Sequence, residues 1–564
     1  MEAGEILLNK GLLDTRQLAI LRDSSENGAR IDRAAVEMGF VSEEDALAAL
    51  GEQLGLEVVD FGQTEVDLSL LDNLPLRVVH RHNVFPIKRR NGTLVVATSD
   101  PFELYALDEI SAATGLTVEP VLAAAGDIAK LIKTHLGMAS ETIDGLLAQR
   151  REEDDVELLD DLELDGSELT EQAQEASVVR LVNEILLEAI ESRASDVHIE
   201  SQESGLRVRY RVDGMLQAQP VPPEINRFHA AIISRLKIMA RLNIAEKRLP
   251  QDGRIKLKIA GREVDVRVSI IPMAHGEGVV MRVLDKDRMN FTLAGVGLPP
   301  DIERQFGELI KLPHGIILVT GPTGSGKTTT LYSALAEIRD EATKIITTED
   351  PVEYQLEGIN QIQVQPKIGL TFAASLRAIL RHDPDVVLVG EIRDLETAEN
   401  AVQASLTGHL VFSTLHTNDA AGAFLRLCDM GVEPFLASST VEGVMAQRLV
   451  RTLCDECRQP WRPVPDELPD DFPFDLLAEQ DGKIMRAEGC RKCRNTGYRG
   501  RTGLFELLVA NDQARQLANE RASTQLVKKA AVEHGMRTLR QDGWRNVLAG
   551  TTSIDEVIRV TKAD

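Results

Sequence analysis

The chain has 564 residues, of which 43% are hydrophobic and 27% charged, which suits about three to four ordinary soluble domains. Its formal net charge of −26 repels phosphate backbones and argues against nucleic acid as a partner. No apolar run reaches the roughly 20 residues of a membrane span. The start Met1-Glu2-Ala3-Gly4-Glu5 lacks a signal peptide's basic region, and five cysteines exclude a disulfide scaffold, so a reduced, cytoplasmic protein is expected.

Two similar stretches come first in the chain. Gly4-Glu5-Ile6-Leu7-Leu8-Asn9-Lys10-Gly11-Leu12-Leu13 runs on to Leu18 and Leu21, and Arg33-Ala34-Ala35-Val36-Glu37-Met38-Gly39-Phe40-Val41 runs on to Ala46, Leu47 and Leu50. Each predicts an apolar patch, a glycine corner and a second amphipathic helix. Residues 84–90 and 93–98 then read as strands around Asn91-Gly92, a favoured hairpin turn. Residues 1–145 thus form a small α/β region with no catalytic cluster. Residues 152–171 hold eleven Asp or Glu and no Lys or Arg. Like charges at that density cannot bury a core, so 146–175 is expected to be a flexible acidic linker.

Residues 176–292 read as an α+β domain. A helix over 178–192 is followed by strands over 196–200 and 206–212, with a turn at Asp213-Gly214. Pro222-Pro223 precedes a long amphipathic helix to about Asn243, and 264–268 and 279–284 are further strands.

The strongest signal lies in 293–450. Gly321-Pro322-Thr323-Gly324-Ser325-Gly326-Lys327-Thr328 fits the phosphate-binding pattern G-x-x-x-x-G-K-[ST] in full, with an apolar strand before it and a helical pattern from Thr329 after it. Glycines let backbone N–H groups wrap phosphate oxygens at a helix N-terminus. Lys327 would reach the β- and γ-phosphates of ATP and Thr328 would ligate Mg²⁺. A second strand, Val386–Val389, ends at Gly390-Glu391. Glu391 is the expected acid at that sheet edge, holding Mg²⁺ through water and polarising the attacking water. Glu349 follows another strand and offers a further carboxylate. His409 and His416 flank the strand-like 410–414, and at least one is expected to sense phosphate.

Cys454-Asp455-Glu456-Cys457 and Cys490-Arg491-Lys492-Cys493 form two C-x-x-C pairs, each fit for one edge of a tetrahedral Zn²⁺ site. Four thiolates leave no open position, so the metal would be structural. Cys428 stands apart and reads as a small buried apolar side chain.

Residues 176–564 resemble the ATPases that drive type II secretion and type IV pilus assembly. The resemblance rests on Ala194-Ser195-Asp196-Val197-His198-Ile199-Glu200, Pro250-Gln251-Asp252-Gly253-Arg254, the phosphate loop, Glu349-Asp350-Pro351-Val352-Glu353, Gly390-Glu391-Ile392-Arg393-Asp394, Leu406 through Asn418, and Ala446-Gln447-Arg448-Leu449-Val450-Arg451. The tetracysteine insertion is similar to that of assembly and secretion members, which the retraction ATPases lack. Gly261-Arg262-Glu263-Val264-Asp265-Val266-Arg267-Val268-Ser269 looks closest to the secretion branch.

The resemblance implies an α/β multidomain fold. A RecA-like P-loop ATPase domain (293–450) follows an α+β, PAS-like domain (176–292). A zinc subdomain (451–510), a C-terminal helical region (511–564) and a small N-terminal docking domain (1–145) complete it. It implies a cytoplasmic homo-hexamer, peripheral on the inner membrane, with ATP bound between the α+β and P-loop domains. Arg267, Arg282, Arg377 and Arg381 would approach the phosphates, where planar guanidinium groups suit the charge developing on the γ-phosphoryl. Hydrolysis would move an inner-membrane platform protein. The N-terminal repeats are similar to ones that bind cyclic di-GMP through an Arg-Leu-Gly start. Glu2-Ala3-Gly4 lacks the arginine and Arg30-Ile31-Asp32 lacks the glycine. Cyclic di-GMP binding and docking to an inner-membrane recruitment protein are the two roles open to this domain.

Overall fold

The computed structural model describes residues 3–24, 31–59, 61, 64, 66–74, 78–79, 82–90, 92–136, 156–158, 176–221, 223–259, 262–285, 291–464, 468–478 and 481–563. Glu2, Arg30, Asn91 and all of the acidic run except Val156–Leu158 lie outside the described residues. The chain divides into two units, 1–285 and 286–564.

In the first unit the repeated corners form as expected. Helices Ala3–Asn9 and Thr15–Ser24 meet at Gly11, and helices Ile31–Glu37 and Glu43–Leu54 meet at Gly39, each glycine at φ 71°. The Gly11 N–H donates to Leu8 O and that of Leu12 to Leu7 O, while Gly39 donates to Val36 O and Phe40 to Ala35 O. This is the same Schellman cap twice, and it needs the left-handed backbone that glycine adopts without a Cβ clash. The apolar positions between the corners, among them Leu7, Leu21, Val41, Leu47 and Leu50, share one core. Strands β1 (Val84–Arg90) and β2 (Thr93–Thr98) pair antiparallel, and β3 (Thr117–Leu122) joins β2 in parallel after the helix Leu104–Thr114.

The α+β part is a seven-stranded antiparallel sheet in the order β4-β8-β9-β10-β5-β6-β7. Its strands are β4 (Val156–Leu158), β5 (Ala194–Gln202), β6 (Gly205–Val212), β7 (Met215–Gln219), β8 (Gln251–Ile259), β9 (Arg262–Met273) and β10 (Gly276–Asp285). Alternation sends Val197, Val208, Tyr210, Val266 and Met281 to one face, against Leu181, Ile185 and Leu186 of the helix Ala176–Glu191 and Ile232 and Leu236 of the helix His229–Met239. Two expectations are corrected here. The long helix after Pro222-Pro223 begins as a 3₁₀ segment, Pro223–Phe228, and is α-helical only over His229–Met239. The acidic run is not wholly linker, because β4 pairs antiparallel with β8, Glu157 opposite Lys258. The unpaired edge of a sheet is a template for extended chain even where no core can form.

The second unit is built on a seven-stranded sheet in the order β13-β12-β14-β15-β11-β16-β19. Its strands are β11 (Gly315–Thr320), β12 (Ile345–Glu349), β13 (Asn360–Gln363), β14 (Val386–Val389), β15 (Leu410–Leu415), β16 (Val441–Leu453) and β19 (Tyr498–Val509). All neighbours are parallel except β16 and β19. Helices cover both faces, so β11, β14 and β15 are buried along their whole length and read as unbroken apolar runs.

The tetracysteine segment is an insertion between β16 and β19, with a two-stranded sheet of β17 (Gln459–Trp461) and β18 (Ile484–Arg486). Because β16 and β19 both belong to the main sheet, the expected boundary at 450 cuts through β16. The stretch 498–509 belongs to the ATPase sheet rather than to a zinc subdomain. Leu468, Phe472, Leu477 and Ile484 of the insertion pack with Trp544, Val547, Ile554 and Val557 of the last two helices.

Glu556 ties the C-terminal helix to β16. Its carboxylate accepts the Arg451 N–H and Nη2, each at 2.8 Å, and Arg559 Nη2 at 2.7 Å. Burial pushes its pKa up, but the arginine hydrogen bonds outweigh it and bring the value from 4.5 to about 2. A depressed carboxyl stabilises the fold above its unfolded pKa and loses that contribution as pH falls through the folded one. Glu556→Gln is therefore expected to lower the melting temperature at neutral pH and to flatten its decline between about 4.5 and about 2. An unchanged acid limb in a thermal melt series would contradict this.

Candidate functional site

The phosphate loop occupies the turn between β11 and the helix Lys327–Ile338. Gly321 (φ 147°), Gly324 (φ 78°) and Gly326 (φ 91°) take backbone angles closed to most side chains. Gly321 also needs the space. A Cβ there would lie 2.5 Å from Gln447 O and 2.7 Å from Ser325 Oγ. Lys327 Nζ folds back onto Gly321 O (2.8 Å) and Pro322 O (3.1 Å), and burial lowers its pKa against the opposing pull of Glu391. Ser325 is 3% exposed, and its Oγ has no hydrogen-bond partner among the described residues. Thr328 is exposed in the first helical turn. A buried orphan hydroxyl, a lysine hydrogen-bonded to two carbonyls and a helix N-terminus together fit a bound polyphosphate.

The carboxyl edge of the sheet brings Glu391 to this loop. Gly390 N donates to Thr348 O at the end of β14, and Glu391 follows. Its Oε2 lies 2.6 Å from Arg393 Nε and 3.4 Å from His416 Nε2, with the side chain 12% exposed. His416 follows β15, and the next residue, Thr417, is tied to the end of β11 by its N–H on Thr320 Oγ1 (2.8 Å). Lys327, Glu391 and His416 thus gather at one end of three parallel strands.

Other expected residues stand elsewhere. His409 precedes β15, at the opposite edge of the sheet from the loop. Its backbone O accepts the Gly315 N–H, and its ring is held by Ala404 O and Thr407 Oγ1. Glu349 ends β12 but is 4% exposed. Thr347 Oγ1 and Gln361 Nε2 donate to one oxygen (2.5 and 3.1 Å) and the Tyr332 hydroxyl to the other. That describes an anchoring carboxylate rather than one presented to a nucleotide. Arg377 is exposed and paired with Glu396, and Arg381 lies past the end of the helix Phe372–Ile379, where the chain has returned to the sheet's amino edge. Among the described residues neither is paired with a residue of the phosphate loop. In the first unit, Arg267 and Arg282 are register partners on the sheet face away from the helices, and Arg282 Nε donates to Asp196 Oδ1 at 3.1 Å.

The four Sγ atoms of Cys454, Cys457, Cys490 and Cys493 lie within 4.8 Å of one another, with Cys454–Cys490 at 3.9 Å and Cys457–Cys493 at 3.8 Å. Zn–S bonds of about 2.3 Å in a tetrahedron place sulfurs about 3.8 Å apart, so the cluster has the right size for zinc. Burial pushes the Cys457 thiol up to about 12. Burial acts in the same direction on Cys493, but N–H donors from Cys490 and Gly497 outweigh it and bring it down to about 7.

Gln447 and Arg448 of β16 belong beside the phosphate loop and were not expected there. Gln447 Oε1 accepts from Thr330 Oγ1 at 2.8 Å, and Arg448 Nη2 donates to Asn418 O at 2.8 Å. The available signal was two polar residues interrupting an apolar strand.

Known proteins match this arrangement. The family model for type II/IV secretion system protein matches residues 171–559, and that for the MshEN domain matches 54–142. The chain is 45% identical to type II secretion system protein E of Xanthomonas campestris, covering 99% of this chain and 97% of that one. It is 41% identical to the type IV pilus assembly ATPase PilB of Myxococcus xanthus, covering 100% and 99%. The ATPase DotB of Legionella pneumophila shares the fold at 22% identity and TM-score 0.51, covering 68% of this chain and 95% of that one. The chain belongs to the type II/IV secretion system protein family and is a secretion ATPase.

Proposed function

We propose that the chain is a hexameric motor at the cytoplasmic face of an inner membrane, hydrolysing ATP to drive pseudopilus assembly and protein export in type II secretion. The meeting of Lys327, Glu391 and His416 at the phosphate loop carries this reading. It is supported by similarity over nearly the whole chain to a type II secretion protein E. The loop from Gly321 to Thr329 binds ATP. Thr328 holds Mg²⁺, with Glu391 acting through water as its second anchor and as the base for the attacking water. Arg267, Arg282, Arg377 and Arg381 stabilise charge at the γ-phosphoryl. Arg377 is paired with Glu396 and Arg381 with the Arg377 carbonyl, which supports a role for them at a neighbouring protomer's nucleotide in a ring. The four cysteines hold a structural Zn²⁺, and the α+β sheet is a PAS-like module.

The N-terminal region docks to an inner-membrane recruitment protein, and the ring moves a platform protein in the same membrane. Among the described residues no helix is long and apolar enough to cross a membrane, so membrane attachment would come through these partners. Two second readings have observations behind them. The full-length similarity to a pilus assembly ATPase favours extension of type IV pili, and the MshEN match favours cyclic di-GMP as an N-terminal ligand.

Deleting the gene and restoring it separates the motor readings. Loss of exported protein from the medium with surface pili intact is expected. Loss of pili with export intact would select the pilus reading, and loss of neither would refute both.

A further inference from the structure

We propose that Arg448 is a phosphate-binding residue of the ATP site, donated by the strand next to the phosphate loop of the same chain. In register, the last pair of β11 and β16 is Thr320 with Ala446, so Gln447 and Arg448 stand just beyond the end of β11, level with the loop. The guanidinium donates through Nη1 to Gln447 O (3.0 Å) and through Nη2 to Asn418 O (2.8 Å). It therefore bridges from β16 to the loop that follows His416. It stands against the first loop glycine, since a Cβ on Gly321 would come within 3.1 Å of Nη1.

Among the described residues, only backbone carbonyls accept from this half-buried cation. Among the described residues it forms no ion pair. The two acids whose charge reaches it are engaged elsewhere. Glu506 accepts the N–H groups of Ala420 (2.7 Å) and Leu539 (3.1 Å), and Asp419 accepts that of Gly422 (2.9 Å). A guanidinium taken partly out of water without a carboxylate carries an uncompensated desolvation penalty. Lys327 beside it is likewise held by two carbonyls; burial weakens its hold on its proton, the charge of Glu391 opposes that, and Arg448 itself adds to it. Add the orphan Ser325 hydroxyl, and three groups around one loop lack a partner that a polyanion would supply.

Arginine has five N–H donors in a planar fork, and two carbonyls leave donors over for phosphate oxygen. The same fork would then join a phosphate to the Asn418 carbonyl, so that filling the site tightens the loop after His416. Lysine, a point charge with one nitrogen, cannot span both.

The inference rests on the loop being the ATP site, and Lys327→Ala is the control for that premise. Full-length wild type, Arg448→Met, Arg448→Lys and Lys327→Ala would be compared by thermal melting with and without Mg·ATP, and by steady-state hydrolysis. Arg448→Met is expected to melt no lower than wild type without nucleotide, because it removes an unpaired charge. Its KM for ATP should rise at least about 10-fold, with a matching loss of ATP-induced stabilisation. Arg448→Lys should fold and fall between the two. Should Arg448→Met fail to fold, Arg448→Lys carries the test. Wild-type KM and wild-type ATP stabilisation in the folded variant would overturn the assignment and leave Arg448 as a strut. If ATP stabilises wild type no more than Lys327→Ala, the premise fails instead.

Discussion

Replacing Glu391 with glutamine is expected to cut ATP turnover by at least about 100-fold while leaving ATP binding in place. The amide preserves the shape of a side chain that is 12% exposed, so the fold should not change. It removes the negative charge that faces Lys327 across the loop and the carboxylate gathered there with His416. The partner Arg393 is 68% exposed, and an ion pair with one member in water contributes little, so its loss should not dominate. Single-turnover hydrolysis and equilibrium binding of ATP, measured on the same preparation, check both halves. Turnover within about threefold of wild type would mean that another group prepares the water.

The second large effect concerns the metal. Purified protein is expected to carry about one Zn²⁺ per chain, and Cys454→Ser with Cys493→Ser should abolish it. Binding by four thiolates contributes on the order of 10 kcal/mol to small zinc modules, so the insertion should lose its structure in the double variant. The damage should extend to the last two helices, because Ile484, Phe472 and Leu477 share a core with Trp544 and Val557. Limited proteolysis is expected to cut within 458–489 in the variant and to spare wild type. Metal analysis finding no zinc in wild type would end the assignment, whatever the proteolysis shows.

Much of the site was legible because its chemistry is local. A phosphate loop is a strand, a run of glycines and a helix start, all within a few residues, and the backbone angles at Gly321, Gly324 and Gly326 bear out why those positions lack side chains. A C-x-x-C pair turns two sulfurs to one side over a single turn, and both pairs then found each other. The hairpin at β1 and β2 and the corners at Gly11 and Gly39 are equally short-range.

What could not be read was which of two similar candidates meets the loop. His409 and His416 bracket β15 and look equivalent in sequence, yet parallel strands share one carboxyl edge, and only His416 lies on it. Glu349 ends β12 and Glu391 follows β14, but the Tyr332 hydroxyl and Gln361 hold Glu349 inside, while Glu391 meets His416.

The sequence by itself determined the phosphate-loop pattern, the acid after β14 and the two C-x-x-C pairs, because each is encoded in contiguous residues. Only the tertiary structure decided that β16 and β19 complete the ATPase sheet, that a three-residue piece of the acidic run pairs with β8 of the α+β sheet, and that Arg448 stands beside Gly321. These depend on residues far apart in the chain meeting across hydrogen-bonded strands. Such pairing is set by register and by the packing of both sheet faces, neither of which a local pattern records.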